Sequence, residues 1–242
     1  MKEATQEMTV TGKEWLQCQV ELQLAGAEKT LLGTLAELGT DMAVVVHSSG
    51  KPFYVPLPQI RRMKLKEQCA NPCDGLVEKA IAEYPDLLGR ARTEGNAISY
   101  RKMLLHAKGM FTEAVLNGAN AVLSGYLSSI MNDYLVFYSP VWQTVMVRLD
   151  RICYISPFRE GAAPFNLPPE QLPLRPSSLT LARAFEQQLQ KMAGRVVSFN
   201  LDTGRGATGM LIRAEDKMIW LCTVTGRMEW LHASSISSVH LP

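Results

Sequence analysis

Gly33-Thr34-Leu35, Gly125-Tyr126-Leu127 and Gly209-Met210-Leu211 are three copies of one G-x-L triplet, and an isoleucine follows each glycine by 27 residues, at Ile60, Ile152 and Ile236. Three equal intervals without a gap mark an internal repeat. Between glycine and isoleucine the copies agree in character. A polar turn comes first, at Gly39-Thr40-Asp41, Asn132-Asp133 and Glu215-Asp216-Lys217. Met42 to Val46, Tyr134 to Tyr138 and Met218 to Cys222 follow, rich in the β-branched and aromatic residues that suit a pleated surface. Second turns are read at Ser48-Ser49-Gly50-Lys51, Ser139-Pro140 and Thr225-Gly226-Arg227. Tyr54-Val55, Val145-Met146-Val147 and Glu229-Trp230-Leu231 then continue the meander.

Upstream of each glycine lies one more alternating run, Gln19 to Leu24, Thr112 to Leu116 and Val196 to Leu201, which makes about five short strands per copy. Strands so few and short must curl to bury one face, because a flat sheet of that size leaves its apolar side wet and its edges open. The expected fold is mainly β with short helices, as three tandem Sm-like or SH3-like small β-barrels. Gly33, Leu35 and Ile60, Gly125, Leu127 and Ile152, and Gly209, Leu211 and Ile236 are its structural anchors. Each glycine is read as the place where a missing Cβ permits a sharp bend or bulge.

The domain reading is barrel one over 10–68, a helical connector over 69–98, a helix plus barrel two over 99–158, a proline-rich linker over 159–176, and a helix plus barrel three over 177–242. Ser178 is the expected cap of a helix running to Met192, with Leu179, Ala182, Phe185, Leu189 and Met192 at helical spacing and Gly194 as its stop. Ser99 to Lys108, followed by Gly109, reads as a shorter version presenting Met103, Leu104 and Ala107. Asp74 to Arg92 reads as a connecting helix interrupted near Pro85. Pro157, Pro164, Pro168, Pro169, Pro173 and Pro176 predict an extended, stiff spacer.

Twenty-five Lys plus Arg against 23 Asp plus Glu leave a net charge of +2, without the positive field that sequence-independent nucleic-acid binding relies on. Met1 to Thr11 is polar and no apolar run approaches spanning length, so synthesis in a cytoplasm and no membrane span are expected. Five scattered cysteines argue against a secreted disulfide framework. Cys69 and Cys73, the one close pair, are half a zinc site at most, and a loop disulfide is the other reading. His47, His106, His232 and His240 fall at different repeat positions and build no shared motif.

A nucleophile elbow, a Walker loop and a dinucleotide fingerprint are absent, and Asp202-Thr203-Gly204-Arg205-Gly206 reads as a hairpin turn between two strands. No catalytic residue, metal site or cofactor is therefore expected. Arg61, Arg62, Lys64 and Lys66 alternate with Met63 and Leu65 in the last strand of copy one. That run is either an interaction patch on one face or a solvated edge guarded by charge. Trp142, Trp220 and Trp230 are read as core or interface anchors.

Each copy, and copy two best of all with Gly125-Tyr126-Leu127, then Asn132-Asp133-Tyr134-Leu135-Val136, then Leu149-Asp150-Arg151-Ile152, resembles the Sm-like modules of spore coat protein B and its relatives in endospore-forming bacteria. The resemblance implies a non-catalytic coat or coat-associated protein, resident in the spore coat and assembled through contacts between modules. Its partners would be other proteins and itself. The alternative is an Sm-like RNA binder. In that class an aspartate and then an asparagine follow the G-x-L strand, and a basic-glycine pair precedes the last strand. Here those positions hold Gly39, Met131 and Glu215, then Ala43, Leu135 and Ile219, and Pro58-Gln59, Asp150-Arg151 and Ser234-Ser235 precede the closing isoleucines. Nucleic acid is not an expected partner. Small barrels expose unpaired edges, so joining through strand edges is expected, with the charged strand Arg61 to Lys66 as the edge left open.

Overall fold

Val20, Leu22 and Leu24 alternate with Gln19, Glu21 and Gln23, and an extended chain turns the apolar set inward and leaves the polar set outside. The same period recurs along the computed structural model, which describes residues 15–26, 30–66, 75–84, 99–118, 122–159, 161–172, 179–200 and 206–241. Strands β1 (Gln19–Leu24), β2 (Leu31–Leu38), β3 (Met42–Val46), β4 (Pro52–Pro56) and β5 (Ile60–Leu65) form a first group. Helices α1 (Leu76–Glu83) and α2 (Tyr100–His106) follow. The second group is β6 (Phe111–Leu116), β7 (Val122–Ile130), β8 (Tyr134–Ser139), β9 (Gln143–Arg148) and β10 (Ile152–Pro157). Helix α3 (Phe185–Lys191) precedes a third group, β11 (Val196–Phe199), β12 (Ala207–Glu215), β13 (Met218–Cys222), β14 (Met228–His232) and β15 (Ser238–Leu241).

Among the described residues all 15 strands join one antiparallel sheet in the order β14-β13-β12-β11-β15-β9-β8-β7-β6-β10-β4-β3-β2-β1-β5. Each group contributes its strands in one order, fifth, first, second, third, fourth. The expectation of three tandem small β-barrels is met only as a mainly β fold with short helices: the sheet is open, and among the described residues no group closes on itself by hydrogen bonds. The outer edge of β4 is taken by β10, and that of β9 by β15.

Within each group the glycine is forced by a close approach. A Cβ on Gly33 or Gly125 would lie 2.6 Å from the carbonyl oxygen of Val46 or Tyr138, and Gly209 meets Cys222 O in the same way. Two residues on, the register shifts at Leu35/Glu37, Leu127/Ser129 and Leu211/Arg213, a bulge that bends the second strand over the first. Leu35, Leu127 and Leu211 are fully buried at these bends. One turn of 3-10 helix links the fourth and fifth strands at Leu57–Gln59, Leu149–Arg151 and Ala233–Ser235, and Ile60, Ile152 and Ile236 end these turns in extended backbone.

The helices sit at the seams between groups. Ser99 Oγ accepts from Lys102 N to cap α2, and α1 and α2 bury Val77, Ala80, Met103 and Leu104 in a core shared by the first two groups. Phe185, Leu189 and Met192 fill a core shared by the last two. Helix α3 is shorter than the Ser178 to Met192 reading, since Ala182 is held in non-helical backbone by Tyr134 and Gln188. The linker is not a stiff spacer over 161–172. Pro164 and Leu172 are buried, Phe165 meets Phe111 edge-on, and Tyr126 Oη donates to Leu172 O. The N-terminal run, Cys69 to Cys73, Pro85 to Arg92, Ser178 and Asp202 to Arg205 lie outside the described residues.

Candidate functional site at the free edges

Two seams between groups define what a joined edge looks like. At the first, Ile155 pairs with Tyr54, Ser156 Oγ donates to Pro52 O at 2.8 Å, and Gln59 Nε2 donates to Asp150 O at 2.8 Å. Lys51 forms an ion pair with Glu113 and lies over the Phe158 ring. Cys153 is fully buried there. Its thiol donates to Ala25 O at 3.2 Å, and burial pushes its pKa up to about 11. At the second seam Ser238, Val239, His240 and Leu241 pair with Val147, Met146, Val145 and Thr144. Arg148 Nη1 donates to Ala233 O at 3.1 Å, and Arg151 donates to Ser234 O.

An aspartate in the turn before the third strand completes each seam. Asp41 Oδ1 accepts from Tyr100 N at the start of α2, and Asp133 Oδ1 accepts from Phe185 N at the start of α3, both at 2.9 Å. Tyr134 Oη donates to Ala182 O at 2.6 Å; burial, then the Asp133 charge, push its pKa up to about 12. The sequence by itself assigns these aspartates only to turns. Their recurrence just before the third strand of two copies is the signal it offers.

The two outer strands have no such neighbour among the described residues. β5 pairs only with β1, and β14 only with β13. Arg61, Arg62, Lys64 and Lys66 are exposed on or beside β5. They do not share one face: Arg61 is the extra residue of a bulge between Ile60 and Arg62, so its side chain departs from the Arg62, Lys64 and Lys66 row. On β14, Trp230 is 68% exposed and Met228 51%. Trp230 is thus no core anchor. It stands edge-on to Trp220, whose face carries the Arg213 guanidinium at 4.2 Å. Trp142, 44% exposed, stands edge-on to His240 at the second seam.

Elsewhere, a cleft of about 480 Å³ is lined by Tyr84, His106, Phe111, Tyr126 and Arg159 among others. Among the described residues no three His, Cys, Asp or Glu side chains converge as a metal site, and no helix is long and apolar enough to cross a membrane.

A family model described as the YwrJ third domain matches residues 184–239, which run from α3 into β15. Over 237 residues, 95% of this chain and 98% of the relative, the sequence is 28% identical to the uncharacterized protein YwrJ of Bacillus subtilis (strain 168).

Proposed function

We propose that this chain is a non-catalytic structural protein that works by assembling with other proteins through the edges of its sheet, in or on the spore coat. Each group of five bent strands is read as an Sm-like module. The strand order, the glycine followed by a bulge, and the 3-10 turn before the fifth strand support that reading. The single observation that carries the function is that a seam made twice inside the chain has both of its halves left open at the ends. An unpaired edge with a protruding tryptophan is a ready template for main-chain pairing. Coat residence rests on the resemblance of copy two to coat protein B modules.

Two measurements test the proposal. Native purification is expected to yield protein whose ultraviolet absorbance ratio is that of protein alone, and a tagged chain expressed in a sporulating bacterium is expected in the coat fraction. Tight binding to a defined single-stranded RNA at physiological salt would overturn the assembly reading in favour of RNA binding through Arg62, Lys64 and Lys66. Recovery wholly in the soluble fraction would overturn coat residence.

A further inference from the structure

We infer that the partner at the open edges is a second copy of this chain, joined head to tail by pairing of its β5 with β14 of the first; this inference rests on the assembly reading above. Both internal seams join a fourth strand to a fifth strand, and at both the same positions meet, since Tyr54 opposite Ile155 corresponds to Met146 opposite Val239. The open edges are one fourth strand and one fifth strand. Transferring the seam register to them, by the glycine and isoleucine offsets of the repeat, sets Met63 opposite Trp230, Lys64 opposite Glu229 and Leu65 opposite Met228.

This register has chemical sense on both faces. Side chains alternate across a strand, so Met63, Leu65, Trp230 and Met228 fall on one face and Lys64 with Glu229 on the other. Leu65, Met228 and Trp230 are 38%, 51% and 68% exposed in the single chain, and pairing would cover them. Lys66 N donates to Gln19 O, so alternation turns Lys64 N toward β1 and the Met63 and Leu65 N–H groups outward, free to join a ladder. Lys64 and Glu229 then form a closely spaced cross-strand pair of opposite charge. Lysine on an edge repels most strands, and an acidic residue in matching register on β14 makes pairing selective for this chain. The aspartate that completes both internal seams is Lys217 at this end, so the intermolecular seam lacks that bond and is the weakest of the three.

A head-to-tail contact leaves the assembly with one open edge of each kind until it closes on itself, with two chains the smallest closed form. The test is mass measurement by light scattering across micromolar concentrations, with two charge reversals, Lys64→Glu and Glu229→Lys. Wild-type chain is expected at twice 26.9 kDa or a higher even multiple, and either variant alone at the single-chain mass with unchanged circular dichroism. An equimolar mixture of the two is expected to regain the wild-type mass. Its seams all join opposite charges, because the carboxylate introduced at position 64 of one variant meets the ammonium introduced at position 229 of the other, and the return seam pairs the two native residues. Wild-type chain that stays single, variants that associate as before, or a mixture that stays single would each overturn the inference. A single-chain result with recovery in the coat fraction removes the second copy as partner and leaves the assembly reading standing, whereas RNA binding removes both.

Discussion

Met146 and Trp230 hold the same place on the fourth strands of adjacent groups, yet Met146 is fully buried and Trp230 is 68% exposed. Ile155 and Val239 are fully buried on their fifth strands, while Met63 at the same place is partly open and its neighbours Arg62 and Lys64 are exposed. Local backbone cannot explain the difference, because glycine, bulge and 3-10 turn recur in all three groups. Occupancy of the edge explains it. A strand with ladders on both sides is buried at the meeting positions, and one with a single ladder exposes charge and an aromatic.

Proline separates the two situations most strongly. Val239 lies between β9 and β11, so Val239→Pro removes a ladder donor and leaves a buried carbonyl unpaired, at a cost of about 3 kcal/mol or more. Met63→Pro removes an outward N–H from an edge. Denaturant unfolding is expected to find the first variant unfolded or nearly so and the second within about 1 kcal/mol of the parent. Equal losses would break the comparison.

Truncation of the paired positions comes next. Met146→Ala empties a buried site in the core shared by the second and third groups and is expected to cost about 2–5 kcal/mol. Trp230→Ala is expected to change single-chain stability by no more than about 0.5 kcal/mol, measured at concentrations low enough to prevent association. A large loss for Trp230→Ala would mean that this edge is covered within the chain.

Both seams can also be watched by titration, the first through Cys153 and the second through Tyr134. The thiol of Cys153 and the phenol of Tyr134 both have raised pKa values, so burial favours their neutral forms. That contribution is complete below the ordinary values of 9.0 and 10.0 and is lost as pH rises through about 11 and about 12. In a chain whose other four cysteines are replaced by serine, Cys153 is expected to resist a thiol reagent near neutral pH until denaturant opens the seam. Fast labelling in the native protein would show the seam open. The smallest effect belongs to the partly exposed ion pair: Lys51→Met is expected to change stability by about 0.5–1 kcal/mol, less in high salt.

The strands are legible in the residues. Met42–Val46 and Met218–Cys222 begin and end where the β-branched runs do, and Ser99 caps α2 as its side chain allows. Helix α3 reads too long because Leu179 and Ala182 sit at helical spacing, and no local rule reveals that Tyr134, some fifty residues earlier in the chain, holds Ala182 by its carbonyl. The proline linker reads as a spacer for a similar reason. Proline forbids regular structure but not packing, and Phe165 and Leu172 find the second group.

By itself, then, the sequence determined where the backbone must bend, because a glycine without room for Cβ and a fixed run to an isoleucine are local constraints. It also marked the Arg61 to Lys66 strand as an edge, since a row of Lys and Arg side chains opposes burial and guards an open strand. Only the tertiary structure decided that three groups share one sheet, with β4 against β10, β9 against β15, and β14 left open beside β13. Main-chain pairing between strands about a hundred residues apart uses N–H and C=O groups that every residue but proline carries. Glu229 and Trp230 on β14 become readable as marks of an open edge only once the neighbouring strands are in place.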